Sequence, residues 1–203
     1  MDAVFYDLLR HGEPVGGHRY RGQTDDPLSE RGWAQMWAAI PEETPWRRIV
    51  TSPLARCREF ALALGQRRGL PVKEDARFME VRFGVWEGHT AAELEAEDPG
   101  VLTRFYQDPV RNRPAGAEPL EAFAARVAEA WRAWTIPEHR QHTLVVAHAG
   151  VIRAVIADVL EVPLPRLYRI QVANAGLTRI VIKPDRPATL MFHGGCLAPG
   201  GEG

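Results

Sequence analysis

Val4-Phe5-Tyr6-Asp7-Leu8-Leu9 runs directly into Arg10-His11-Gly12-Glu13. The first six residues have the length and apolar weight of a buried strand. A buried strand that ends on a cation, an imidazole and a glycine delivers all three to one point at the edge of a sheet. That junction is the start of an anion site, with His11 as its reacting group. A tripeptide such as Arg-His-Gly carries little alone, so its partners must come from the rest of the chain.

Two further junctions of the same kind follow. Arg48-Ile49-Val50-Thr51 is a short strand, after which Ser52-Pro53 starts a helix with Ser52 as cap and Pro53 in the first turn. Leu54, Cys57, Ala61 and Leu64 form the buried stripe of that helix, with Arg56 off the stripe. Thr143-Leu144-Val145-Val146-Ala147-His148 is a continuous apolar strand, followed by Ala149-Gly150 and an apolar helix. Ligands of open α/β sheets bind outside the carboxyl ends of the strands. If these three strands are neighbours, Arg10, His11, Arg56 and His148 meet there.

The remaining segments fit that frame. Ser29 caps a helix whose apolar face is Trp33, Met36, Trp37 and Ile40. Gly69 and Pro71 end the helix that carries Arg56. Val72 to Glu80 reads as extended, and Phe83 to Gly88 as a turn. Thr90-Ala91-Ala92-Glu93 is a capping box, and a short helix follows around Leu102 and Phe105. Asp108 to Pro119 is a polar loop that could lie over the site. Leu120, Phe123, Val127, Ala130, Trp131 and Trp134 mark an amphipathic helix. Tyr168–Val172, Leu177–Ile182 and Thr189–Phe192 read as late strands, and 199–203 as a disordered tail. Strands alternating with helices predict a three-layer α/β/α sandwich with a mostly parallel central sheet, in one domain over 1–203 with an insert at 81–119 near the site.

Composition narrows the function. The 203 residues are 45% hydrophobic and 25% charged, with a formal net charge of -1. Such a balance gives no electrostatic case for nucleic acid or an anionic membrane. All the basic residues but Lys73 and Lys183 are arginines, which suit bidentate contacts to oxyanions. Cys57 and Cys196 form neither a disulfide framework nor a zinc pattern. His18, His89, His139, His142 and His193 show no ligand spacing and read as solvated, so no metal site is expected. Arg47-Arg48 and Arg67-Arg68 read as surface charge. No signal peptide or membrane span is recognised, which places the chain in the cytoplasm.

Two imidazoles and two guanidiniums around one pocket suit a phosphoryl group. Arginines clamp its oxygens where charge builds in the transition state. An imidazole can accept the phosphoryl group and pass it to water, splitting one difficult step in two. Helix starts at Pro53 and Ala149 add backbone N–H donors, and Gly12 and Gly150 let the backbone approach an oxyanion. A carboxyl group must protonate the leaving alkoxide. Glu80 is the candidate; Glu13 and Glu87 are the alternatives.

Four motifs in order then resemble the histidine phosphatase superfamily, in the branch related to phosphoglycerate mutases. They are Leu9-Arg10-His11-Gly12-Glu13, Ser52-Pro53-Leu54-Ala55-Arg56, Glu80 ahead of Phe83-Gly84-Val85-Trp86-Glu87-Gly88, and Ala147-His148-Ala149-Gly150. The resemblance implies a phosphoglycerate mutase-like fold, a phosphohistidine at His11, a phosphate pocket of Arg10, Arg56 and His148, and Glu80 as proton donor. It implies no metal and no cofactor. Tyr20-Arg21-Gly22-Gln23-Thr24-Asp25-Asp26-Pro27-Leu28-Ser29 and Pro114 to Leu120 resemble α-ribazole phosphatases of the cobalamin pathway. Relatives often carry an asparagine that touches phosphate where this chain has Gly17; Arg19, Arg21 or Gln23 are the candidates to replace it. The expected activity is therefore a phosphatase acting on a small phosphate ester, with α-ribazole 5′-phosphate as the first candidate. The alternatives are a phosphoglycerate mutase, a phosphoprotein phosphatase and a non-catalytic phosphate-binding module. A homodimer is left open.

Overall fold

A computed structural model of the chain describes residues 3–136 and 141–195. Six strands form one sheet in the order β3-β2-β4-β1-β5-β6: β1 (Val4–Arg10), β2 (Arg48–Thr51), β3 (Val72–Glu74), β4 (Thr143–Ala147), β5 (Leu177–Lys183) and β6 (Arg186–Gly195). The first four are parallel to one another; β5 pairs antiparallel with β1, and β6 antiparallel with β5. β2, β4 and β1 are side by side, so the three sequence junctions lie at one sheet edge.

Alternate residues of these strands enter two separate cores, because side chains in a strand point to opposite faces. Leu9, Ile49, Leu144 and Val146 pack on one face with Met36 of α1 (Glu30–Ala38) and Cys57, Phe60, Ala61 and Leu64 of α2 (Ala55–Arg68). Tyr6, Leu8, Val50, Val145 and Ala147 pack on the other. There they meet α3 (Ala91–Glu97), α4 (Val101–Gln107), α5 (Leu120–Thr135) and α6 (Ala149–Val159). This is the expected three-layer sandwich with a mostly parallel sheet. Full burial of a side chain such as Phe60 or Leu64 contributes about 1.5–3 kcal/mol.

Several local expectations hold. Ser29 Oγ accepts from Gly32 N at 3.0 Å to cap α1, and the Thr90–Glu93 capping box opens α3. Gly69 ends α2 at φ 64°, a left-handed conformation that favours glycine.

Others are corrected. α2 begins at Ala55, so Ser52 and Pro53 precede it. Ser52 Oγ is occupied with His148 Nε2 at 2.8 Å, and the orphan N–H of Ala55 is taken by Asp25 Oδ1 at 2.6 Å. The expected strand Tyr168–Val172 is a 3-10 turn over Leu164–Arg169 and then irregular chain. Side chains satisfy its carbonyls in place of a neighbouring strand: Arg153 donates to Ile170 O, His193 lies against Gln171 O, and Arg10 donates to Val172 O. The extended run after Val72 stops at Glu74, because Asp75 accepts from Arg77 N at 3.0 Å and turns the chain into a 3-10 helix over Ala76–Phe78. Arg48 is buried, donating to Thr143 Oγ1 and Trp134 O. His142 and His193 are engaged with Asp7 and Thr178, so neither is a solvated side chain. The 199–203 tail, Cys196 and His139 lie outside the described residues.

Candidate active site

At the carboxyl ends of β1, β2 and β4 lies a cleft of about 160 Å³. Arg10, His11, Arg21, Arg56 and Glu80 line it, with Tyr20 and Phe83 as an aromatic side and Glu13, His18, Arg19 and Asn174 around the rest.

His11 is almost fully buried, at 6% exposure. Its Nδ1 is 2.7 Å from the carbonyl oxygen of Gly12. A carbonyl can only accept, so Nδ1 carries the proton and Nε2 of the neutral ring keeps its lone pair. Burial, and then the charges of Arg10 and Arg56, hold the imidazole well below its ordinary pKa. The ring is therefore neutral and held in one tautomer, a form able to act as a nucleophile. Its backbone is fixed from both sides: His11 N donates to Ala147 O and Ala175 N to His11 O.

Gly12 has a packing reason. A Cβ there would stand 2.2 Å from Gly32 O, so the nucleophile loop can rest on the first turn of α1 only without a side chain.

His148 is fully buried behind His11, with ring centroids 5.2 Å apart and planes at 63°. Ser52 Oγ holds Nε2, and Cys57 Sγ lies 3.7 Å from both ring nitrogens. Burial, followed by the charge of Arg56, pushes its pKa well down.

Arg56 is 1% exposed and donates to Thr24 O and Gly22 O, both at 2.7 Å. Those carbonyls belong to a loop that Glu87 organises. Its carboxylate accepts from Gln23 N, Thr24 N, Thr24 Oγ1 and Phe83 N. Glu87 therefore ties the 22–24 loop to the Phe83 turn and sets where Arg56 sits. Arg10 donates to Val172 O, and burial pushes its pKa down to about 10 against the opposing pull of Glu80. It stays charged at neutral pH.

Glu80 reaches the cleft from the segment after the Ala76–Phe78 turn. One carboxylate oxygen accepts from Val81 N at 2.9 Å and the other from Gly150 N at 3.0 Å. Arg126 steadies the backbone beneath it by donating to the carbonyls of Arg77, Met79 and Glu80. Gly150 is glycine because of this carboxylate: a Cβ there would stand 2.1 Å from Glu80 Oε1. The close approach expected of an oxyanion to Gly150 is made by the protein's own carboxylate.

The structure thus brings Arg10, His11, Arg21, Arg56 and Glu80 into one wall, with His148 and Ala149 directly behind it. Gln23 is turned away from the cleft, donating to Glu80 O and accepting from Arg82. The Arg21 guanidinium is occupied with Asp26 and with the carbonyls of Val15 and Gly17. The polar loop 108–119 braces the Phe83 turn from behind, with Arg113 donating to Arg82 O and stacked 5.3 Å over the Phe83 ring. Sequence reasoning missed Asn174 altogether. Its signal was a single polar side chain in the small-residue break Ala173-Asn174-Ala175-Gly176 between two apolar segments.

A neutral, pinned imidazole beside two arginines and a carboxylate, at the open edge of a mostly parallel sheet, has the groups that phosphoryl transfer through a histidine requires. The chain belongs to the histidine phosphatase superfamily, branch 1, whose family model matches residues 7–193. It is 36% identical over 171 residues to a glucosyl-3-phosphoglycerate phosphatase of Mycobacterium tuberculosis, covering 77% of this chain and 75% of that one. Phosphoserine phosphatase 1 of Hydrogenobacter thermophilus is 29% identical over 195 residues, covering 93% and 92%. Among solved structures, an α-ribazole phosphatase from Shigella flexneri superposes with a TM-score of 0.80 at 26% identity, covering 95% of this chain and 96% of that one. The chain is an enzyme of the phosphatase class.

Proposed function

We propose that the protein is a phosphomonoesterase that hydrolyses a small phosphate ester through a phosphohistidine at His11, without a metal ion, in the cytoplasm. The observation that carries this reading is the Nδ1–Gly12 carbonyl bond, which leaves Nε2 as a lone pair in a cleft walled by Arg10, Arg56 and Glu80. The two guanidiniums supply the positive charge for the phosphoryl oxygens. Nε2 attacks phosphorus as the bond to the ester oxygen breaks, and protonated Glu80 gives its proton to the departing alkoxide. A water then attacks the phosphohistidine, the Glu80 carboxylate takes up its proton, and His11 leaves neutral. His148, held by Ser52, backs the nucleophile from behind the cleft wall.

The size of the cleft and its aromatic side support a compact ester whose alcohol packs on Tyr20 and Phe83. α-Ribazole 5′-phosphate, glucosyl-3-phosphoglycerate and phosphoserine are the first esters to compare. His11→Ala is expected to abolish phosphate release from a chromogenic ester and to remove acid-labile labelling by a phosphorylated substrate. Full turnover in that variant would sink the proposal.

A further inference from the structure

Asn174 is a pocket side chain that no other described residue engages. Among the described residues its amide makes no hydrogen bond, although it lines the same cleft as His11 and Arg10. The other polar groups on that side are taken. Arg19 donates to Gly16 O and Gly88 O, Arg21 holds Asp26 and two carbonyls, and Gln23 lies off the wall. His18 is unengaged but stands exposed at the rim.

The turn that carries Asn174 is held under strain. Ala175 has φ 52°, in the left-handed region that L side chains other than asparagine and aspartate rarely adopt. Such a conformation persists when its surroundings over-determine it. Here Arg10 N donates to Gly176 O, Ala175 N to His11 O, Gly176 N to Ala173 O, and the Arg10 guanidinium to Val172 O. Three of those four bonds tie the turn to the two residues at the centre of the site. A Cβ on Gly176 would lie 2.9 Å from Ala173 O, so the turn is as tight as glycine permits. The protein spends backbone strain to hold one unengaged amide beside the nucleophile.

We propose that the Asn174 side-chain N–H donates to a non-bridging oxygen of the phosphoryl group, as a neutral third donor beside Arg10 and Arg56. This rests on the reading of the cleft as a phosphate site. A neutral amide there fills the place left by Gly17 from the opposite end of the chain. Since the three equatorial oxygens spread apart and share their charge in the transition state, a donor fixed on one of them contributes to the rate as well as to binding.

The test uses Asn174→Ala and Asn174→Asp, both with unchanged thermal unfolding, and two readouts. The first is binding of inorganic phosphate by calorimetry, which needs no turnover. Asn174→Ala is expected to weaken it about tenfold, the worth of one hydrogen bond to a charged group, and Asn174→Asp more, by repulsion. The second is kcat across esters with different alcohols, where a loss of about 10²-fold should be uniform. Unchanged phosphate affinity in Asn174→Ala overturns the proposal, and so does a loss of kcat confined to one alcohol, which would put the amide on the leaving group. Wild-type protein that binds phosphate yet hydrolyses no ester overturns the phosphatase reading alone. Wild-type protein that binds no phosphate overturns both.

Discussion

His11 and His148 are both neutral because they are buried beside guanidiniums, and that neutrality costs stability in acid. In the unfolded chain each imidazole takes up a proton near its ordinary pKa, about 6.5. In the fold each resists protonation until well below that. Below about pH 6.5 the unfolded state therefore binds more protons, so folding free energy is fully present above this value and is lost as pH falls. One such group contributes a slope of up to about 1.4 kcal/mol per pH unit. Urea unfolding between pH 7 and pH 5 should show the decline, and His148→Gln should make it shallower. Parallel curves for the two proteins would mean that His148 is not protonated on unfolding in that window. The buried carboxylate Asp7 lies outside it, because its arginine and histidine partners hold its pKa below the usual range against the cost of burial.

At the scale of elements, the start of α6 decides how Glu80 is aimed. Gly150 gives its N–H to the carboxylate and leaves the space that the carboxylate fills. Gly150→Ala should displace Glu80, lower kcat by about 10²-fold on esters with poor leaving groups, and spare those whose alcohols need no proton. Equal losses on both kinds of ester would show that the substitution disturbs the phosphate pocket instead. This element also shows what was legible beforehand. The strand–polar junctions at Arg10-His11, Ser52 and His148 could be read because continuous apolar runs stop abruptly on charged or polar residues. Those runs predict central parallel strands, and the sheet places them side by side. Contacts made by single side chains across irregular chain left no periodic trace. Asp25 capping α2, Ser52 turning to His148, and Asn174 on its strained turn are of that kind. The 168–172 segment was misread for the same reason: its apolar residues suit a strand, but arginine and histidine side chains claim its carbonyls.

For the molecule as a whole, Asp7 joins parts that are distant in sequence. It is fully buried in the middle of β1 and accepts from Arg179 of β5, His142 ahead of β4 and Trp46 ahead of β2. Four segments of the sheet thus converge on one carboxylate, away from the cleft. Asp7→Ala would leave the Arg179 guanidinium and the Trp46 indole N–H without their acceptor. It should cost about 3–5 kcal/mol of stability by chemical denaturation while the folded fraction keeps its kcat. A loss below about 1 kcal/mol would show that water replaces the carboxylate without penalty.

The position of β1 also bears on how the protein is made. This strand comes before the other five in the chain, yet its two neighbours are Thr143–Ala147 and Leu177–Lys183. Pairings between such distant segments form slowly, since the intervening chain must close before they are rewarded. During synthesis the apolar Val4–Leu9 ribbon has no sheet to enter, and α1 and α2 lack the strand β4 that joins β1 to β2 and completes their core. His11 is therefore made long before β4 and β5, and its site can form only after both have followed. A chain that stops before β4 is therefore expected to expose the Val4–Leu9 ribbon as an unpaired, aggregation-prone strand and to hydrolyse no ester.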